Sequence, residues 1–353
     1  MQNGISVYAG LNTSIEENIA LIETAASLGL TRIFTSVTIP EANSTEGSNE
    51  FATILATGIA NGFEIILDIT PETLSTFDFA LDFEEITPRL DDGFNPMQIA
   101  ALSHIRRIML NASTVNKALL VALIDLNADF SNISALHNFY PQLYTGLDIS
   151  YYKAQNQLLH NFGISTGAFA ASLNGRRRPP LMEGLPTIEF TRNFPTDFTA
   201  RYLQALGTDF VIISDSLPTQ EECTTIATLN SDTIVLEASI TIDDKLLQPQ
   251  IVSYLSKTFV ARTEISPCII RAANSRDSKN SITTKLINNL TPRKPGDITI
   301  NNTNFGRYAG EVQVVKLDLP ADPRVNTVAQ VTNLDTMLLE SIGSNQAFTI
   351  RFV

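Results

Sequence analysis

Cysteine is scarce in this chain. The two present, Cys223 and Cys268, stand far apart and belong to no CxxC or Cys/His pattern, which argues against a disulfide framework and against a structural zinc site. Histidine is scarce too: His104, His137 and His160 are scattered, the first and last within helical segments. A metal hydrolase would want more, so neither a metal nor a cofactor is expected. No apolar run approaches the roughly 20 residues of a membrane helix. The opening MQNGISVYAG has neither the basic start nor the apolar stretch of a signal peptide, so the cytoplasm is the expected compartment. Basic residues are outnumbered, 24 Lys and Arg against 37 Asp and Glu, for a net charge of −13. That balance disfavours nucleic acid and anionic membranes as partners, but not a small anion held by a locally positive field.

With 353 residues, the chain is long enough for a large barrel and an addition. Up to about residue 230, short β-branched runs alternate with amphipathic helical ones. The predicted strands cover 5–8, 32–37, 65–69, 86–90, 107–110, 133–136, 164–168 and 210–214. Helices are expected between them over 14–28, 48–61, 95–103, 115–123, 149–162 and 197–206, with a less regular stretch at 71–81. The first has a serine N-cap and a glycine terminator, and the last also ends in glycine. Such alternation implies a parallel sheet, and eight units favour a closed (β/α)8 barrel over 1–232. No GxGxxG follows the first strand, which weakens a nucleotide-binding open sheet. From 233 to 353 the pattern turns to short β-rich runs punctuated by Pro and Gly, at 258–265, 268–272, 297–301, 310–317, 325–331 and 347–352, with one short helix over 334–342. This reads as a second, smaller β domain.

A (β/α)8 barrel displays its chemistry at the C-terminal ends of its strands. The residues at or just past the end of each predicted strand form a polar set: Glu41; Asp68; Arg89, Asp91 and Asp92; Asn111 and Ser113; His137, Asn138 and Tyr140 in HNFYPQLYTGL; Asp215. The long loop after strand seven carries Arg176, Arg177, Arg178 and Arg192, and the C-terminal part carries Arg271, Arg276, Arg293, Lys294 and Arg307. Each has a plainer reading. A carboxylate after a strand often caps the next helix. A lone His is often structural, Asn closes turns, aromatics pack, and an arginine run is often a solvated face. Together they suit a polyol: amides, carboxylates and His bond hydroxyls, and rings pack on sugar faces. Two carboxylates from different strands can cleave a glycosidic bond, and arginines hold anions in a bidentate manner. An aldolase or isomerase would want a strand-end lysine, whereas Lys117 and Lys153 fall in helices.

The motifs IFTSVTIPE, PRLDDGF, LNAS, HNFYPQLYTGL, RPPLMEGLPTIEFTR, SRDS, PGDITINNTNFGRYAGEVQV and LPADPRVN resemble the 6-phospho-N-acetylmuramidase family over nearly the whole length. The resemblance implies an N-terminal (β/α)8 barrel with a C-terminal cyclophilin-like β-barrel closing the substrate site. It also implies a cytoplasmic exo-glycosidase of cell-wall recycling. The implied substrate is N-acetylmuramic acid 6-phosphate β-linked to N-acetylglucosamine, a phosphorylated amino sugar that also bears a lactyl carboxylate. Residue by residue, it puts Asp91 and Glu189 on the family's acidic positions. His137, Asn138, Tyr140, Thr145 and Gly146 match the motif that follows strand six. Arg178, Arg192, Arg276, Arg293 and Arg307 match family arginines. On this basis Asp91 and Glu189 are the expected catalytic pair, with Glu41, Asp68 and Asp215 in reserve. Asn111, His137, Asn138 and Tyr140 would orient the sugar, and the five arginines would hold its anions. The chain departs from the family at Pro179-Pro180-Leu181, usually Gly-Pro-Leu, and at Thr191-Arg192, usually His-Arg. A non-catalytic phosphosugar-binding protein on the same fold is the alternative.

Overall fold

A computed structural model of the chain describes residues 2–36, 45–76, 83–230, 232–276, 285 and 290–353. Backbone proximity divides it into two units, Met1–Leu229 and Asn230–Val353.

In the first unit the chain runs β1 (Gly4–Ser6), α1 (Ile15–Ser27), β2 (Arg32–Ser36), α2 (Thr45–Ala60), β3 (Glu64–Ile69), α3 (Pro71–Thr76), β4 (Ile86–Leu90) and α4 (Pro96–Ile105). It continues through β5 (Ile108–Asn111), α5 (Lys117–Asp125), β6 (Ile133–Leu136), α6 (Ile149–His160), β7 (Thr166–Ala170), α7 (Thr196–Ala205), β8 (Phe210–Ile213) and α8 (Gln220–Ala227). The eight strands are parallel neighbours in sequence order, and β1 pairs with β8 to close the barrel. Local chemistry starts the helices. Ser14 accepts the Glu17 N–H while the Glu17 carboxylate accepts the Ser14 N–H, a capping box that opens α1. Asn95 with Gln98 and Thr219 with Glu222 do the same for α4 and α8. Alternate strand residues face helices or lumen. Ile65, Leu67, Ile108, Leu110 and Ile213 pack under the helices. Phe34, Ile66, Met109, Leu136, Phe169, Phe210 and Ile212 fill the lumen beneath Tyr8 and Phe139. Phe34, Phe139 and Phe169 meet edge to face at 5.0–5.9 Å, an arrangement worth about 0.5–1.5 kcal/mol per pair beyond burial.

The second unit holds β9 (Thr233–Ile240), α9 (Gln248–Leu255), β10 (Thr258–Val260), β11 (Ile269–Arg271), β12 (Asp297–Asn301), β13 (Val312–Val315), β14 (Val325–Val331) and β15 (Ala347–Phe352). They form a seven-stranded sheet in the order β10-β15-β9-β14-β12-β13-β11, antiparallel except for β9 with β15. Its buried face carries Leu236, Phe259, Ile298, Ile300, Val312, Val314, Val328 and Phe348. Residues 334–342, expected as a helix, form a 3-10 turn at Asp335–Ser341. The helices α8 and α9 and the strand β9 had not been singled out from the sequence. Both helices are only eight residues long, and short helices carry little periodic signal.

Candidate active site

The lumen-facing row of each strand, continued upward, supplies the polar groups of the barrel mouth. Ile66 faces the lumen, so Asp68 does too; Met109 brings Asn111, and Leu136 brings Asn138. Asp68 and Arg89 are register partners across β3 and β4. Arg89, only 2% exposed, ties the row together. Its Nη1 donates to Asp68 Oδ1 at 2.6 Å, its Nη2 to Asn138 Oδ1 at 2.6 Å, and Nε and Nη2 both donate to the Leu136 carbonyl. Burial raises the Asp68 carboxyl above its ordinary range; Arg89 opposes this and the charge of Asp91 adds to it. Asp91 is half-buried. It accepts from Asn111 Nδ2 at 3.0 Å, and its N–H donates to the Ile69 carbonyl. With Asp92, Phe94, Asn111 and Thr114, it lines a cavity of about 110 Å³. Arg89 stood in the strand-end set but had no assigned role, although the alternation of Thr87 and Arg89 through TPRL was signal enough.

His137 lies below this surface. The ring is fully buried, Nε2 meets Asn156 Oδ1 at 3.0 Å and Nδ1 meets the Ser113 hydroxyl at 3.2 Å. Asn156 Oδ1 is an acceptor, so the ring proton of the neutral imidazole sits on Nε2 and Nδ1 accepts from the Ser113 hydroxyl; the Ser113 Oγ in turn accepts the Asn138 N–H at 2.9 Å. Burial lowers the imidazole to about 4. His137 therefore has no free nitrogen for a sugar and supports Asn138 from beneath, which corrects the expectation of direct contact. Tyr140 is half-buried, and burial raises its phenol.

The three consecutive arginines separate. Arg176 forms a two-pronged ion pair with Glu17 at the surface. Arg177 donates to the Ser172 carbonyl and to Asn193. Arg178 turns to the mouth, its guanidinium 5.1 Å from the Tyr8 ring centre and 4.8 Å from that of Phe139. Its Nε is buried and has no hydrogen-bond partner among the described residues. No Asp or Glu among them pairs with it. Asp215 is fully buried and accepts the N–H groups of Ser172 at 2.9 Å and Arg178 at 3.1 Å. It holds this loop rather than facing a ligand, which corrects the reserve role given to it. Burial raises its carboxyl.

Glu189 and Arg192 form a separate clasp. Arg192, 3% exposed, donates from Nε and Nη2 to the two Glu189 oxygens at 2.7 and 2.5 Å. Its remaining N–H groups go to the carbonyls of Tyr140, Gly184 and Gln142. Glu189 also accepts the N–H groups of Tyr144 and Gly146 at 2.9 and 2.8 Å. Arg192 holds the Glu189 carboxyl down to about 2, so it carries no proton to donate at neutral pH. With all five N–H groups engaged, Arg192 is not available to a substrate anion. Glu41 lies outside the described residues. In the second unit, Arg276 approaches the buried Glu311 at 3.4 Å and donates to the Arg307 carbonyl. Arg293 donates to the Pro320 carbonyl, and Arg307 to the Tyr308 hydroxyl at 2.6 Å. Among the described residues no His, Cys, Asp and Glu side chains group as a metal centre, and no helix is long and apolar enough to cross a membrane.

Two models of the 6-phospho-N-acetylmuramidase family match the chain, the N-terminal one over residues 3–228 and the C-terminal one over residues 234–351. Among solved structures the chain is similar to an uncharacterized B. cereus protein, with 28% identity, a TM-score of 0.84 and 99% of each chain covered. It is also similar to a conserved Enterococcus faecalis protein of unknown function, with 28% identity, a TM-score of 0.68, and 100% of this chain and 96% of that one covered. No curated protein matches in sequence.

Proposed function

Because the chain belongs to the 6-phospho-N-acetylmuramidase family, we propose that it is a 6-phospho-glycosidase. The reaction is hydrolysis of the β-glycosidic bond of N-acetylmuramic acid 6-phosphate–N-acetylglucosamine, in cytoplasmic peptidoglycan recycling. On this reading the seven-stranded sheet is the cyclophilin-like barrel that the resemblance implies. The observation that carries the proposal is the pairing at the barrel mouth. Two carboxylates, Asp68 on β3 and Asp91 just past the end of β4, act on one another, and a cation over the Tyr8 and Phe139 rings, Arg178, pairs with no Asp or Glu among the described residues. Asp91 keeps the catalytic role expected of it, and its partner moves from Glu189 to Asp68. A raised carboxyl beside a second one is the arrangement that separates acid from base or nucleophile. Asn111 and Asn138 orient hydroxyls, and Arg178 receives an anionic group of the substrate.

The experiment is hydrolysis of the phosphorylated disaccharide beside the same disaccharide without phosphate. The expected result is cleavage of the phosphorylated form alone. Asp68→Asn and Asp91→Asn should each lower kcat by about 10²–10⁴, and Arg178→Ala should raise KM for the phosphorylated form. Tight binding without product would replace the glycosidase by a phosphosugar-binding protein. Near wild-type turnover in either Asn variant would remove that residue from the chemistry.

A further inference from the structure

The segment from Tyr140 to Gly146 is held far more firmly than its exposure requires. Tyr144, at its tip, is 86% exposed and has φ +66°. Bulky side chains rarely take that conformation, and it persists only where the surroundings over-determine it. Here they do. Glu189 bonds the N–H groups on either side of the tip, Arg192 clamps Glu189, and the same Arg192 grips the carbonyls of Tyr140 and Gln142. The Thr145 hydroxyl closes the turn on the Gln142 carbonyl at 2.7 Å. A single exposed aromatic is ordinary on any surface. An exposed aromatic in a strained backbone, fixed by a buried arginine through a carboxylate, six residues beyond Asn138 of the lumen row, is not.

We propose that Tyr144 is the stacking platform for the uncharged sugar of the disaccharide, and that Glu189 and Arg192 are its positioning residues. The inference rests on the glycosidase reading. A phenol ring open to solvent offers its face to the apolar face of a pyranose. The cation that clamps this loop, Arg192, has no N–H left for an anion, whereas Arg178 has a free Nε among the described residues. Charge recognition therefore belongs in the lumen and ring stacking on the outer loop, which suits N-acetylglucosamine rather than the phosphorylated sugar.

The test compares the phosphorylated disaccharide with the methyl glycoside of N-acetylmuramic acid 6-phosphate, which lacks the second sugar. Tyr144→Gly and Tyr144→Asn remove the ring at a position where both residues tolerate φ > 0, so the full-length protein should fold. Both should raise KM for the disaccharide relative to that for the methyl glycoside by roughly three- to ten-fold, with kcat little changed. Tyr144→Phe should restore the wild-type ratio, and Glu189→Gln should shift it in the same direction as Tyr144→Gly. An unchanged ratio in Tyr144→Gly, or an equal effect on both substrates, would overturn the platform and leave the glycosidase standing. If the wild-type protein cleaves neither substrate, the glycosidase reading fails. Titration of N-acetylglucosamine followed by tyrosine ring NMR then decides: shifts present in the wild type and absent in Tyr144→Gly support the platform, and no shifts overturn it.

Discussion

The His137 ring has both nitrogens hydrogen-bonded inside the protein and no exposed surface, so protonating it places a charge out of reach of water and near Arg89, which the Asn156 hydrogen bond offsets only in part. Its folded-state value of about 4 lies below the roughly 6.5 of an unfolded chain. The unfolded state therefore binds the proton first as pH falls. The stability is fully present above about pH 6.5 and is lost as pH drops toward 4, with about 2 kcal/mol gone between pH 7 and 5. Asp68 and Asp215 act in the opposite sense at lower pH, since their raised carboxyls favour protonation in the folded state. Urea unfolding of the wild type against His137→Gln isolates the histidine. An equal pH 7-to-5 loss in both proteins would contradict a neutral buried imidazole. That His137, Asn138, Asp68 and Asp91 cluster after strands was legible from the sequence. Which of them faces solvent was not, because the hydroxyl that occupies His137 Nδ1 comes from Ser113, on another strand's loop.

At the scale of elements, the loop that leaves β6 is governed by Gly146. A Cβ added there would lie 2.6 Å from the Glu189 backbone nitrogen and 2.8 Å from its Cα, and backbone cannot move aside as a flexible side chain can. Gly146→Ala should cost about 1–3 kcal/mol in thermal or urea unfolding. It should also raise KM for the disaccharide, because Glu189 is pushed off the Tyr144 N–H. Wild-type stability in that variant would mean that the two segments separate freely. The barrel strands were legible within a residue or three, since β-branched runs bounded by helix caps leave little choice. The strand β9 was missed, although TIVLEASI carries the alternation of a strand, with Ile234, Leu236 and Ala238 buried. Its parallel pairing with β15 joins segments more than a hundred residues apart, and no local pattern encodes that.

For the whole molecule, a net charge of −13 meets a substrate that is itself a dianion or more on the proposed reading. At about 0.01 M salt the screening length is about 30 Å and the substrate feels the whole acidic chain; at 0.15 M it is about 8 Å and only the mouth counts. Raising salt across that range should therefore lower KM for the phosphorylated disaccharide, and Arg178→Ala should keep this trend while binding more weakly throughout. A KM that rises with salt in the wild type would mean that Arg178 and its neighbours outweigh the global charge even at long range. The sequence alone determined the βα alternation, the change of pattern near residue 233, the acidic surface and the motifs of the family, because each is written in neighbouring residues. Only the tertiary structure decided how the polar strand-end residues divide between lumen and scaffold. Arg89 is satisfied by Leu136 and Asn138, Arg192 by carbonyls near residue 140, and Asp215 by the N–H groups of Ser172 and Arg178. Whether a buried polar group is free for a ligand depends on which partners the fold brings within about 3 Å, and those partners lie tens of residues away in the chain.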